Sequence, residues 1–379
     1  MPPPTSNMAL FKVVNASENE FIQSRETWNR LASSMEYPTI FCTWEWIHTW
    51  WNHFGREYER IILFVYRNDI LTAVLPLFLD YGEKPSPITP RRLGYCGSTR
   101  LYPDHLDIIC DKNHANACLD AAFEFLVKEF RGWDIFELPF VAEDSNIASW
   151  LEENHDRVRW RVKSQTFAPY INISGSFDDY LRSFNSRHRY TIVNRWRKFF
   201  DKHAALYDKC TDDNASACLE TLFNLHARRA FTKQIDSSFS GEEIFRFHLD
   251  LLAAMRDQKR IWLRILKTEN ETIAAYYGFV FENRVFYYQL GLDPQWQSHS
   301  PGMVILYEVI REAFAGDFRE FNFLQGEEEY KYKWTKTHRR LLTISVYNGN
   351  LAGSLSRLRD GAKENLKKLR ITFVPQQQK

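Results

Sequence analysis

A repeated phrase constrains the fold of this 379-residue chain more than any other feature. The letters EFLVKEFRGWDIFEL (124–138) and VIREAFAGDFREFNFL (309–324) each run from a helical pattern through a glycine into an aromatic-rich strand. Each follows a strand hairpin, and the first hairpin turns at Asn68-Asp69, which tolerate a tight-turn backbone. A duplicated strand–strand–helix–strand unit accounts for this order. Short matches of this kind also arise in unrelated α/β proteins, so that alternative stays open.

The repeat predicts an α/β (α+β) chain of two units, each a mixed, mostly antiparallel sheet flanked by helices. We expect an N-terminal domain at 1–165 and a C-terminal domain at 166–379, with the boundary near 159–169. The strands of the second unit are expected at 261–267, 269–281 and 284–292. The apolar spacing predicts helices at 21–35, 43–54, 115–130, 177–200, 215–231, 241–259, 302–314 and 354–370.

Composition excludes several classes of protein. Hydrophobic residues make up 44% of the chain, which argues against global disorder. The formal net charge is +1, so the chain as a whole has no field that favours generic nucleic-acid binding. The longest apolar run, at 70–79, contains a proline and falls well short of the roughly 20 residues that span a bilayer. The first residues lack the pattern of a signal peptide.

The six cysteines lack the spacing of a zinc site, and we expect neither a metal nor a metal ligand set. In a chain of this size they are typical of reduced thiols in a cytosolic protein. The predicted location is therefore cytoplasmic, and a peripheral membrane association stays open. The cysteines stand at Cys42, Cys96, Cys110, Cys118, Cys210 and Cys218.

The first candidate site is a helix start at Ser298, His299, Ser300, Pro301 and Gly302. A serine suits the N-cap and a proline suits the first helical position. Free backbone N–H groups and the positive end of the helix dipole would favour an anion there. A glycine would let phosphate groups approach the backbone. The alternative is an ordinary capped helix without a ligand.

The second candidate site is the segment 322–334, where a strand ends at Gly326 and charged and aromatic residues follow. Lys331 could stabilise an oxyanion or pair with a phosphate. Glu327 could accept a proton from an amine nucleophile, and Gly326 and Tyr330 would contact the substrate. A solvated loop is the alternative.

Three further segments carry candidate substrate contacts. Arg187 and Arg189 belong to a basic helix with six Arg or Lys and no acid between 182 and 198, which could meet phosphates or anionic lipid or simply be solvated. In the aromatic strand, Tyr288 is a candidate general acid and Gln289 a candidate substrate contact, although core packing is the alternative. His226 is a candidate base or phosphate donor, or a structural histidine.

From 177 to 347 the chain resembles the GNAT-superfamily acyltransferases of the CelD type, which are associated with cellulose and exopolysaccharide biosynthesis. The N-terminal half fits this resemblance through Thr-Trp-Glu-Trp at 43–46 and Arg-Leu-Gly at 92–94. The family often has Asp where this chain has Asn322. The carrying motifs are Ser-Arg-His-Arg at 186–189, Tyr-Gln-Leu-Gly-Leu-Asp at 288–293, Ser-Pro-Gly-Met at 300–303 and Phe-Leu-Gln-Gly-Glu-Glu-Glu-Tyr-Lys at 323–331.

That family is similar to the Fem-type aminoacyl transferases, which carry two GNAT-like units in one chain. In them a lysine in an aromatic-Lys motif belongs to the active site, and Lys331 matches it. The resemblance implies tandem GNAT-like units and acyl-CoA as the co-substrate. It implies donor binding at Ser298, His299, Ser300 and Gly302, although the paired glycines of simple GNAT enzymes are reduced here to Ser-Pro-Gly.

The sequence thus predicts an acyltransferase that moves an acyl group from acyl-CoA or a similar thioester to an amine or hydroxyl acceptor. The acceptor would belong to a surface polymer, lipid or specialised-metabolite pathway. One alternative is a Fem-type transferase that uses aminoacyl-tRNA, against which the near-zero net charge argues. Another is a non-catalytic binding protein on the same fold. The acceptor and the oligomeric state stay open.

Overall fold

A computed structural model describes residues 11–83, 89–234, 239–256 and 258–372. Within them the strands form one mixed, mostly antiparallel sheet flanked by helices, as the sequence predicts. The strands are β1 (Phe11–Asn15), β2 (Glu59–Arg67), β3 (Ile70–Asp80), β4 (Arg92–Tyr95), β5 (Ile109–Cys110), β6 (Ile135–Ala142), β7 (Arg159–Asn172), β8 (Leu206–Lys209), β9 (Ile261–Lys267), β10 (Thr272–Phe281), β11 (Arg284–Leu292), β12 (Glu320–Asn322) and β13 (His338–Tyr347).

Helices flank the sheet and alternate with its strands along the sequence. The predicted helix at 21–35 is two helices, and the predicted helix at 177–200 is broken at 183–185, where the side chain of Asn185 caps a new helix. The helices are α1 (Glu18–Gln23), α2 (Arg25–Ser33), α3 (Trp44–Phe54), α4 (Ala115–Phe125), α5 (Asn146–Glu153), α6 (Phe177–Arg182), α7 (Ser186–His203), α8 (Ala215–Lys233), α9 (Glu242–Ala254), α10 (Pro301–Ala315) and α11 (Leu351–Thr372).

The two halves repeat one topology, which confirms the predicted duplication. In the first, β1 to β4 run antiparallel, and α4 leads to β6, which lies parallel to β4. In the second, β8 to β11 run antiparallel, and α10 leads to β12, which lies parallel to β11. The hairpin signals and the repeated phrase therefore correspond to equivalent elements.

The strand that follows each half in sequence pairs with a strand of the other half. β7 follows the first half in sequence but pairs with β12 of the second, and β13 follows the second half but pairs with β6 of the first. β7 and β13 also pair with each other, from Pro169 and His338 to Arg159 and Tyr347. The expected boundary near 159–169 therefore coincides with a continuous strand at the centre of the sheet, and the division at 165/166 stays a prediction.

The cysteine prediction is wrong in part. Cys210 and Cys218 form a disulfide, because the turn between β8 and α8 brings their Cα atoms within 6.6 Å. The other four cysteines are free and buried. The argument for a cytosolic location from wholly reduced thiols is lost with this pair.

Within the described residues, no helix combines the length and the apolar character needed to cross a bilayer.

Candidate active site

Several residues with a left-handed backbone conformation lie where the two halves meet. Arg100, Tyr102 and His105 of the β4–β5 connection have φ values of 70°, 49° and 57°, and Leu324 after β12 has a φ of 56°. Side chains other than glycine rarely adopt this conformation, and such residues cluster at functional sites. Three of these four residues line one cavity, so the strain is located at a candidate site.

That cavity, which we call the Lys331 cavity, has a volume of about 370 Å³. The first half supplies part of its wall through residues 100–102, and the second supplies the rest from β11, the segment after β12, and Phe239 and Ile244 at and before the start of α9. The predicted site residues among its walls are Tyr288, Gln289, Gly326, Tyr330 and Lys331. The fold thus brings together five positions that the sequence singled out.

Lys331 is almost fully buried, with 3% of its surface exposed. Its Nζ donates to the carbonyl oxygens of Leu324 and Gln325 and lies 2.9 Å from a carboxylate oxygen of Glu328. Burial lowers the pKa of Lys331, and the charges of Glu328 and Asp104 oppose that shift. The ammonium group is therefore held in a low-dielectric wall, where its charge acts strongly on a bound ligand.

Asp104, which the sequence analysis missed, lies buried behind the wall of the Lys331 cavity and is not one of its lining residues. Its side chain is fully buried, and Oδ2 accepts a hydrogen bond from the backbone N–H of Gln325. Oδ1 has no hydrogen-bond partner among the described residues. Burial raises the pKa of Asp104 to about 7, against the opposing effects of the Gln325 N–H and Lys331. A carboxyl group poised near neutral pH can accept or return a proton.

The aromatic residues of the cavity hold their hydroxyl groups in place. Tyr288 donates to the carbonyl of Leu101 at 3.0 Å, and Tyr330 donates to the hydroxyl of Tyr287 at 3.1 Å. Burial is the main cause that raises the pKa of Tyr288, with the nearby Asp104 charge adding to it. These phenols therefore stay neutral, and the predicted acid role of Tyr288 would require its proton to leave the Leu101 carbonyl.

Gly326 gives the segment after β12 its shape. Its φ is 116°, a conformation that favours glycine, and its N–H donates to the carbonyl of Phe167 at 3.0 Å. A Cβ at this position would lie 2.3 Å from the Glu328 carboxylate. The glycine thus leaves room for Glu328 to reach Lys331.

A second cavity, which we call the α10 cavity, has a volume of about 800 Å³ and opens at the start of α10. Ser300 and Gly302 line it, and Arg195, Arg229 and Lys333 contribute positive charge. The first backbone N–H groups of a helix lack intrahelical partners and favour an anion. The carboxylates of Asp293, Glu328 and Glu329 line the same cavity, so the preference for an anion belongs to the cationic side chains at the helix start and not to the cavity as a whole.

The helix start differs in detail from the prediction. Pro301 occupies the first helical position as expected, but Ser300 is left-handed with a φ of 57°, and its hydroxyl accepts no capping hydrogen bond from the described helix. The expected serine cap is therefore wrong, because this backbone conformation does not match that of a capping residue. Ser298 and His299 end the preceding 3₁₀ turn, where the His299 ring lies 4.6 Å from that of His203.

The two cavities share a wall. Tyr287, Gln289, Glu328 and Tyr330 line both of them. The start of α10 and Lys331 therefore lie on either side of the same four side chains. This adjoining arrangement is what a transfer between two bound substrates requires.

Other predicted residues lie away from the shared wall. Arg187 is exposed on α7, and Arg189 lines a separate surface cavity between α6 and α7. Burial lowers the pKa of His226, whose ring lies 5.4 Å from that of Phe239, itself a wall residue of the Lys331 cavity. Glu327 is exposed, and its neighbour Glu328 makes the contact with Lys331. The roles of these residues stay predictions.

A buried polar cluster supports the floor of the site. The Asn322 side-chain amide donates to the Tyr37 hydroxyl at 2.8 Å and to His105 at 3.0 Å, and its oxygen accepts from the N–H of Leu324 at 2.7 Å. Glu320 forms an ion pair with Arg339 at 2.7 Å in the same cluster. The cluster joins residues of both halves, and Asn322 here fixes the backbone that leads to Lys331.

Comparison with known proteins identifies the second half. Residues 186–332 match the acetyltransferase (GNAT) domain family. That region contains α7 to α10, β8 to β12 and most of the residues of both cavities. The match covers 147 of the 379 residues, so it shows that this part of the chain is similar to the GNAT acetyltransferase domain.

Solved structures share the fold of the whole chain at low sequence identity. FemX superposes with a TM-score of 0.62 at 10% identity, over 92% of this chain and all of that one. A conserved protein of unknown function from Bacteroides thetaiotaomicron VPI-5482 gives 0.58 at 12% identity, over 90% of this chain and all of that one. The C-terminal domain of a putative lysylphosphatidylglycerol synthetase from Agrobacterium fabrum gives 0.54 at 9% identity, over 90% and 96% of the two chains.

These likenesses and the repeated topology confirm the predicted α/β fold of tandem GNAT-like units. No functionally curated protein matches the sequence.

Proposed function

We propose that this protein is an acyltransferase that binds a thioester donor, acyl-CoA in the first instance, in the α10 cavity. The acceptor, an amine or hydroxyl compound, would enter the Lys331 cavity. The observation that carries the proposal is the wall shared by the two cavities, which allows the donor carbonyl and the acceptor to meet beside Lys331. From the resemblance to CelD-type proteins, we infer that the acceptor belongs to a surface polymer, lipid or specialised-metabolite pathway.

The charge of the α10 cavity supports an anionic donor. Arg195, Arg229 and Lys333 line the cavity at the start of α10. The N–H groups of Met303 and Val304 already donate to the Ser300 carbonyl there, so the proposal relies on the cationic side chains and the N–H of Gly302. Phosphate groups of a nucleotide thioester would bind there, and its acyl end would extend along the wall of Tyr287 and Gln289. The volume of about 800 Å³ lies within the range of cavities that enclose ligands of this size.

The reaction needs no covalent enzyme intermediate. The acceptor nitrogen or oxygen attacks the thioester carbonyl, a tetrahedral oxyanion forms, and its collapse breaks the carbon–sulfur bond and releases the thiol. The nucleophile loses a proton that returns to the leaving thiolate, so that the charge balances; Asp104 can carry this proton only through a relay, such as a bound water, because its side chain is buried behind the cavity wall. Lys331 stabilises the oxyanion after Glu328, which is half exposed, moves aside.

The acyl-CoA donor is a metabolite of the cytoplasm, and we therefore place the protein there. The Cys210–Cys218 disulfide offers no support for this location, because such bonds are rare in that compartment.

A second donor, aminoacyl-tRNA, has support from one surface. A cavity of about 740 Å³ between α6 and α7 is lined by Arg182 at the end of α6 and by Arg189 and Arg197 of α7. Helix α7 also contributes Arg195 to the α10 cavity. Such a run of arginines could contact the phosphates of a nucleic acid whose acylated end enters the α10 cavity. The fold shared with FemX is compatible with this candidate.

The deciding experiment measures the thermal stability of the full chain with a panel of CoA thioesters and, separately, with deacylated tRNA. A ligand at 100 times its dissociation constant stabilises the fold by about 2.7 kcal/mol, a readily measured shift. We expect a shift with at least one thioester, reduced in Gly302→Trp. A response to tRNA alone would favour the second donor, and no response to either would favour a non-catalytic binding protein.

A further inference from the structure

Helix α11 turns its apolar side chains away from the protein. Leu351, Leu355 and Leu358, spaced to share one helical face with Ala362, are 77%, 57% and 71% exposed. We call these four residues the α11 leucine stripe. Apolar side chains of a surface helix normally face the core, so this orientation requires an explanation.

The opposite face of α11 is fixed to the protein by small and polar groups. Gly353 packs so closely that a Cβ there would lie 2.4 Å from the carbonyl oxygen of Asn348. Asp360 accepts a hydrogen bond from the Tyr347 hydroxyl at 2.8 Å and forms an ion pair with Lys163. A rotation that buried the leucines would break these contacts, so the stripe is held outward by the fold.

Positive charge surrounds the leucine stripe. Arg357, Arg359 and Lys363 are exposed on α11, and Arg159 is exposed on the adjoining strand β7. Between 351 and 363 the one acidic residue is Asp360, which faces the protein and is already paired. An apolar stripe with cationic neighbours matches the interface of a bilayer that contains anionic lipid.

We propose that α11 binds the surface of an anionic lipid bilayer through the leucine stripe, with Arg357, Arg359 and Lys363 near the lipid headgroups. A second copy of the chain fits this face less well, because pairing two stripes would bring like charges together. The proposal concerns a surface and not the transfer reaction, so it stands independently of the proposed function.

The test is co-sedimentation of the full chain with two kinds of vesicle. One contains phosphatidylcholine alone, and the other contains phosphatidylcholine with about a third phosphatidylglycerol. We expect binding to the anionic vesicles, weakened by added salt because exposed charges are screened. The double variant Leu355→Glu/Leu358→Glu should bind on the order of 100-fold more weakly, since two leucines no longer enter the interface.

A matched variant controls for a general effect of surface charge. Ile70 in the β2–β3 hairpin is 71% exposed, like Leu358, and Ile70→Glu should leave vesicle binding unchanged. Both variants should keep the melting temperature of the wild type, because their side chains are already in water. Absence of binding to anionic vesicles, or equal binding by the double variant, would overturn the proposal. So would a wild-type dimer in solution that the double variant converts to a monomer, since a second copy would then cover the stripe.

Discussion

The two halves have the same strand order, but they differ in the residues that follow β6, the strand after α4, and β12, the strand after α10. In the first half, β6 leads into α5, whose first N–H groups at Asn146 and Ile147 bind the buried carboxylate of Asp107. In the second, β12 leads to the strained turn at Leu324 and to Lys331, beside an open cavity. The residues that follow β6 are thus bonded into the fold, whereas those that follow β12 border the Lys331 cavity.

Two buried carboxylates three residues apart make the same contrast at atomic scale. Both oxygens of Asp107 accept hydrogen bonds, from Ile108, Asn146 and Ile147. Asp104 has one partnered oxygen and one without a partner among the described residues. Burial raises the pKa of both carboxyl groups, Asp107 to about 6 and Asp104 to about 7, so the contrast between them rests on the oxygen of Asp104 that has no partner. The first half therefore contributes this carboxylate, as well as the wall at 100–102, to a site built mainly by the second half.

The largest effect is expected from Lys331→Met, which removes the buried cation and keeps the length of the side chain. Activity should fall by roughly 10²–10³, the effect of losing one oxyanion-stabilising group. Steady-state kinetics with the identified donor would measure it, and circular dichroism would check that the fold is retained. Lys336→Met, at an exposed position nearby, is the control and should keep full activity. Equal activity in both variants would remove Lys331 from the mechanism.

Asp104→Asn should lower activity by about 10²-fold, the lower end of a general-base contribution, and change how stability depends on pH. The folded-state pKa of about 7 lies above the usual aspartate pKa of 3.8, so the folded state binds more protons in between. Wild-type stability should therefore decline as the pH rises from about 4 to 7, by at most about 4 kcal/mol. Urea unfolding at several pH values would show the variant gaining on the wild type across this window.

Asp107→Asn provides the opposing half of that test. Its amide would place a second donor against backbone N–H groups, so we expect a loss of about 1–3 kcal/mol in unfolding free energy at neutral pH. If Asp104→Asn proves equally destabilising at pH 7, the distinction between the two carboxylates fails.

Gly302→Val should weaken donor binding, with a donor KM raised about tenfold. The new side chain would begin 3.2 Å from Leu292 in the wall of the α10 cavity and would extend toward the helix start. Loss of close approach to a phosphate group is the physical reason. Asn116→Val, near the start of α4 in the first half, is the matched control. A KM that rises equally in both would refute a donor site confined to the second half.

The smallest expected effect separates Glu327 from Glu328. The ion pair of Glu328 with Lys331 is half exposed, so Glu328→Gln should change kcat by only a few-fold. Glu327→Gln should have no effect, because Glu327 is exposed and lies outside the walls of both cavities. A larger loss in Glu327→Gln would instead support the role that the sequence assigned to it.

The sequence pattern predicted correctly the elements whose formation depends on residues that are close together in the chain. The hairpins of β2–β3 and β9–β10–β11, and the start of α10 at Pro301, follow from alternation, turn residues and helix-start chemistry. The pairing of β7 with β13 is a contact between distant parts of the chain, which local pattern does not reveal, and the domain boundary expected within β7 stays a prediction.

The site was predictable where its residues are adjacent in sequence. Gly326, Tyr330 and Lys331 belong to one motif, and the fold keeps them together. Asp104 carries no local signal, because it meets Gln325 across 221 positions through the packing of one half on the other. The disulfide of Cys210 and Cys218 depends likewise on the geometry of a turn rather than on spacing alone.

Hydrogen–deuterium exchange with and without the stabilising acyl-CoA tests the central claim most directly, because it compares the two helix starts in one experiment. The account predicts slower exchange of backbone amides at 302–306, in the first turns of α10, and no change at 116–120, in the first turns of α4. Protection at the start of α4, or binding without any protection at the start of α10, would contradict a donor site in the second half.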